Sequence, residues 1–196
     1  MRLLSLDPSS TCTGWACFDD GELIEYGSFR PPQKADVSYR IDWTGGQVSD
    51  LIRRRGDIDR VVIEDAAPPY GNKRRGHDVY VRAVSFIRWE CEGILGKDAV
   101  EMVMPVTWKS SAKKIDTIRV VNAEHDLELV KKDNDIADAI ALGDWYLRKL
   151  NYDRIMAEHN AGICREKNLY RPRKHLDRCP SAYDDNLSKD KERRDE

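Results

Sequence analysis

No uncharged apolar run in the chain approaches the ~18–20 residues needed to cross a bilayer, so the sequence predicts no membrane-spanning segment. The opening residues, MRLLSLDPSS, turn acidic too soon to read as a secretory signal. Cysteine is sparse, five residues, odd in number and scattered. That excludes a disulfide scaffold and suits a reducing cytoplasm. Neither sign of charge is in excess: 33 basic residues against 35 acidic ones leave −2. A generally basic nucleic-acid coat is thereby excluded, but a local basic groove is not. There is no internal repeat.

What is present suffices for one domain and an appendage. Of 196 residues, 40% are apolar and 35% charged, a polar balance that still supplies aliphatic runs and aromatics. A domain of about 150 residues buries roughly 70% of the surface its unfolded chain exposes, so no covalent staple is required. Residues 1–150 alternate apolar runs with turn signals. Residues 151–196 hold few aliphatics and end in NLSKDKERRDE, a solvated extension.

Within the first region, Leu3–Leu6 reads as a short strand halted by Asp7-Pro8. Trp15–Phe18 and Leu23–Tyr26 flank Asp19-Asp20-Gly21 as a hairpin. Val37, Ile41, Val48, Leu51 and Ile52 recur at helical spacing. Arg60–Glu64 is a β-branched strand ending on an acid, and residues 65–76, with two prolines and two glycines, form a loop. A helix follows over Val79–Leu95, then a strand over Val100–Met104 stopped by Pro105. A last helix is marked by Ile136, Ala139, Ile140, Leu142 and Leu147. Strand, hairpin, helix, strand, helix, strand, helix describes an α/β mixed sheet with packed helices.

Three acidic positions are poorly explained by structure alone. Asp7 and Glu64 end strands, and Asp135 with Asp138 opens the last helix, three residues apart and so on one face. Parallel strands ending on acids deliver them to one sheet edge, where open α/β sheets place their sites. Each acid taken singly has a bland explanation: an Asp-Pro turn, a surface acid, a helix cap. Together they describe a cluster whose mutual repulsion a divalent cation resolves. Mg²⁺ prefers such oxygen ligands, and four carboxylates match a two-metal site for phosphodiester hydrolysis.

These segments resemble the motifs of RuvC-type Holliday-junction resolvases. LSLDPSSTCTGWACFDDG resembles the family's first-strand motif, with Ser9 where the family has glycine. VVIEDAAPPYGN looks like the second, DNDIADAIALG like the last, and MPVTWKSSAKK like the lysine-bearing segment between them. The resemblance covers about residues 1–150, and it extends to phage-encoded members. It implies an RNase H-like fold and Asp7, Glu64, Asp135 and Asp138 as catalytic, metal-holding acids. It also implies Mg²⁺ or Mn²⁺ as cofactor and a homodimer acting on a four-way DNA junction. Val79, Ala83, Phe86, Ile87 and Trp89 exceed what one core-facing helix stripe needs, which fits either a dimer contact or deeper burial on the sheet.

Phosphate contacts fall to Lys73, Arg74 and Arg75 on the loop after Glu64, and to Lys109, Lys113 and Lys114. Tyr70 on the same loop is placed to stack on an unpaired base, although packing within the fold explains it equally. In the extension, His159, Cys164, His175 and Cys179 offer four N/S ligands, the inventory of a structural Zn²⁺ site. Their order matches no zinc-finger pattern, and a disordered tail with incidental ligands accounts for them as well. Two other readings stand beside the nuclease. An actin- or sugar-kinase-like ATPase shares the Asp7–Gly14 pattern but needs a duplicated core and a second glycine-rich phosphate segment. A branched-DNA-binding protein without cleavage would not need all four acids.

Overall fold

A computed structural model describes residues 1–66, 76–109 and 114–160. Five strands form one mixed sheet: β1 (Arg2–Asp7), β2 (Thr13–Asp19), β3 (Glu22–Phe29), β4 (Arg60–Glu64) and β5 (Val100–Val103). Their spatial order is β3-β2-β1-β4-β5. The hairpin β2–β3 turns at Asp20-Gly21 and pairs antiparallel with β1, whereas β4 lies parallel to β1 and β5 parallel to β4. The α/β architecture read from the sequence is therefore the one observed.

Helices cover both faces, and strand periodicity decides which side chain goes where. Leu4, Leu6, Val61 and Ile63 point to one face and join Val48, Leu51 and Ile52 of α1 (Val37–Arg55) and Ile87 and Cys91 of α2 (His77–Leu95). Leu3, Phe18 and Val62 point to the other. There they meet Ile118 and Val121 of α4 (Lys114–His125) and Ile140, Leu142 and Tyr146 of α5 (Asn134–Asn160). A single turn, α3 (Pro105–Trp108), separates β5 from α4.

The helix α1 starts where the Asp36 carboxylate accepts from the Tyr39 amide at 2.9 Å and ends at left-handed Gly56. Gly45 inside it has a packing reason: a Cβ there would press into the Phe86 ring of α2 at 2.5 Å. Two elements were absent from the sequence-based order. Pro105 stops a strand but also starts α3, as proline at a first helical position does. In α4, Ile118 and Val121 are buried while Val120 is exposed, a stripe too thin to register as periodic.

Met1–Met156 form one compact unit. No described helix is long and apolar enough to cross a membrane.

Candidate active site

Leu6 of β1 pairs with Ile63 of β4 in parallel register, so one step further along both strands stand Asp7 and Glu64. Both continue the odd and even series that point toward α5, Leu3-Ser5-Asp7 on β1 and Val62-Glu64 on β4. Parallel pairing and equal parity thus put two acids side by side on one face of one sheet edge. The turn after Asp7 is stapled by hydroxyls. The Ser9 amide donates to Thr13 Oγ1 and that hydroxyl donates to the Ser9 carbonyl, each at 3.2 Å.

The other two acids arrive on α5, which must approach the sheet closely. Ser5 Oγ, fully buried, donates to the Ala139 carbonyl at 2.7 Å. Gly14, opposite Asp7 on β2, faces the start of the helix, where an added Cβ would fall onto the Asp135 carbonyl oxygen. Glycine at 14 is what lets the first turn of α5 lie over the strand end. Asp135 stays half-buried, with Asn134 Nδ2 donating to its Oδ1 at 2.7 Å, and Asp138 is nearly sealed at 2% exposed.

Lys109 enters the same place from the end of α3. Its Nζ donates to Asp138 Oδ2 at 2.6 Å and lies 4.0 Å from Glu64 Oε2, with the Trp108 ring centroid 5.0 Å away. Burial by itself would lower the lysine's pKa, but the bond to Asp138 and the charges of Glu64 and Asp7 outweigh it and raise the pKa. Asp7 is pushed well above the carboxylate range, first by burial and then by the charges of Glu64 and Asp138, against the opposing pull of Lys109. Asp138 Oδ1 is buried and accepts no hydrogen bond among the described residues. Asp138 is therefore short of a donor among the described residues, and the ligand atoms of all four acids are hard oxygens. This fits a divalent cation such as Mg²⁺.

Tyr80, not singled out in the sequence, belongs to this neighbourhood. Burial raises its phenol pKa, and the charges of Glu64, Asp7 and Asp65 raise it further. The signal was present: Tyr80 extends the buried stripe Val84, Ile87, Cys91 of α2 by one turn toward the site. Cys12, in the turn after Asp7, is a buried thiol pushed up to about 12 by burial and by Asp135.

A second group of ligand-type atoms was also not foreseen. Glu124, His125 and Asp144 have atoms within 4.8 Å of one another, a spacing that the four sheet-edge acids do not reach. Its acids are already partnered, Asp144 Oδ2 with His125 Nε2 at 2.8 Å and Glu124 with Arg148 at 2.9 Å. Of the expected DNA contacts, Tyr70, Lys73, Arg74, Arg75 and Lys113 fall outside the described residues, as does the Lys114 side chain. His159 is exposed near the end of α5, while Cys164, His175 and Cys179 also fall outside.

A five-stranded mixed sheet with one edge of converging acids and helices on both faces defines an RNase H-like α/β protein. Among solved structures the chain is similar to Thermus thermophilus RuvC in complex with a Holliday junction substrate. That similarity has TM-score 0.58 and 16% identity, and covers 76% of this chain and 96% of that one. A second Thermus thermophilus RuvC structure matches with TM-score 0.54, 17% identity and the same coverage. The yeast mitochondrial Holliday junction resolvase matches with TM-score 0.52 and 9% identity over 81% of this chain and 85% of that one. No family model and no curated protein sequence matches the chain. At these identities the likeness establishes the fold: the chain has the RuvC-type resolvase fold.

Proposed function

We propose that this chain is a divalent-metal-dependent, structure-selective endonuclease that hydrolyses phosphodiesters at four-way or branched DNA junctions. The observation that carries this reading is the meeting of Asp7, Glu64 and Asp138 at one sheet edge from three separate elements, with a buried Asp138 oxygen that has no donor among the described residues. Fold likeness to proteins solved as Holliday-junction resolvases supports the choice of substrate.

In this reading Asp7, Glu64, Asp135 and Asp138 hold Mg²⁺ or Mn²⁺, in a pair as four carboxylates allow. Bound there, the ions supply an activated water and charge to stabilise the displaced oxygen. The residues themselves set the geometry. The sheet holds Asp7 and Glu64, helix α5 brings Asp135 and Asp138, and the low exposure of Glu64 and Asp138 limits competing water. Lys109, Lys113, Lys114 and the loop cations Lys73–Arg75 would contact phosphate, with Tyr70 against a base. The nuclease domain is assigned to residues 1–150 and an extension to 151–196, which is either a partly disordered tail with incidental ligands or stapled by Zn²⁺ at His159, Cys164, His175 and Cys179.

A homodimer completes the proposal, since a two-fold protein can place two sites symmetrically on a junction. Trp89, 65% exposed and stacked on Phe86 at 5.8 Å, supplies an aromatic anchor on the outer side of α2. Incubating a synthetic four-way junction with the full chain in Mg²⁺, Mn²⁺ or EDTA is the direct test. Metal-dependent paired nicks are expected. Binding without nicks in either metal would make it a branched-DNA-binding protein instead, and Trp89→Ala should lower the dimer fraction seen by light scattering.

A further inference from the structure

The one cation acting on Asp7 among the described residues is Lys109. Its ammonium takes Asp138 Oδ2 at 2.6 Å, a short charge-assisted bond, and leans toward Glu64 at 4.0 Å. Resting on the endonuclease reading for the role of the acids, we propose that Lys109 is an internal counter-ion that competes with the divalent cation for Asp138, so that cation entry and release of the ammonium are one exchange.

The geometry leaves little room for both. Mg²⁺ holds carboxylate oxygens at about 2.0–2.1 Å. On Oδ2 it would stand within a few ångströms of the ammonium, two positive centres in a pocket where water screens poorly. Asp138 is 2% exposed and cannot turn its second oxygen out to solvent to relieve them. Oδ1, buried and accepting no hydrogen bond among the described residues, offers an incoming cation its first landing point. The departing ammonium has a second station as well, since Nζ already lies over the Trp108 ring, and Lys109 keeps 23% of its side chain exposed. Lys109 thus keeps the acids compatible before the metal arrives and sets a threshold for its arrival.

The test is Mn²⁺ titration of the full chain, with free Mn²⁺ followed by electron paramagnetic resonance, alongside melting in EDTA. Lys109→Met should bind Mn²⁺ about tenfold more tightly than the parent, the scale on which neighbours of metal ligands act. It should also melt lower in EDTA and recover in excess Mn²⁺. Lys109→Gln, which keeps an N–H donor without the charge, should tighten binding in the same direction and guards against a methionine variant that fails to fold. Lys109→Arg, which retains the charge, should stay near the parent. A merely structural lysine would lower the melting point without any gain in affinity. Unchanged or weaker Mn²⁺ binding in both neutral variants, with the parent still nicking junctions, would overturn the exchange and leave the endonuclease reading standing. No Mn²⁺ binding and no nicking by the parent would overturn both.

Discussion

Two groups of charged side chains on the α5 side of the sheet invite comparison. At the sheet edge, Lys109 acts on Asp138, Glu64 and Asp7, and Asp7 is held well above its ordinary pKa. Between α4 and α5, Glu124, His125 and Asp144 share Arg148, and each acid has a partner. Burial raises Asp144 too, but the His125 bond pulls in the opposite direction. The second group ties two helices together through the His125–Asp144 and Arg148–Glu124 contacts. The first holds a raised Asp7 and a buried Asp138 oxygen that accepts no hydrogen bond among the described residues, and perturbed groups of this kind cluster at functional sites. By distance Glu124, His125 and Asp144 lie closer together, and under the proposed reading it is charge, not distance, that favours the sheet edge.

The sharpest way to break the comparison is Asp7→Asn. Cleavage should fall by about 10³-fold or more, while stability moves the other way. The raised pKa means that the folded state keeps the Asp7 proton where the unfolded chain, with the ordinary value of 3.8, has lost it. Stability from this source is complete below 3.8 and is lost as pH rises through the folded pKa. In EDTA at neutral pH the asparagine variant should therefore melt about 2–4 °C above the parent, the shift expected from roughly 1 kcal/mol in a chain of this size. A melting point below the parent's would show that Asp7 is a satisfied structural acid.

Gly14→Ala comes next. The added methyl meets the backbone of Asp135, so α5 must retreat at its first turn, at about 1–3 kcal/mol by denaturant unfolding. Junction cleavage should fall with it, because Asp135 and Asp138 leave the sheet edge together. Asp144→Asn should act on the other group alone. Loss of the His125 partner costs about 1 kcal/mol and leaves cleavage at the parent's rate. Smallest of all, Glu124→Gln removes a half-exposed pair with Arg148 and should cost less than about 0.5 kcal/mol. If Asp144→Asn abolished cleavage while Asp7→Asn did not, the two groups would have to exchange roles.

Much of this was legible in the linear chain. Apolar runs bounded by turns marked all five strands, and helical spacing marked α1, α2 and the first half of α5. Acids at strand ends drew attention to Asp7 and Glu64, because an acid closing an apolar run has few structural duties. Three-residue spacing put Asp135 and Asp138 on one helix face. The sequence was silent on α4, whose buried residues among those described are Ile118 and Val121. It offered Lys109 as a phosphate contact and not as a partner of the acids, and it passed over Tyr80, whose neighbours at the site are acids from other elements.

The division has a physical cause. Alternation, helical spacing and turn chemistry are local properties of the chain, set by sterics and by which side of an element meets water, so the sequence by itself determined the elements and which residues end them. Charge compensation acts through space. Whether Lys109 pairs with Asp138, twenty-nine residues on, or with solvent depends on how closely α5 can approach β2, and so on a glycine opposite Asp7. Only the tertiary structure decided that Lys109 would sit among Asp7, Glu64 and Asp138, because only packing brings the end of α3 to the start of α5.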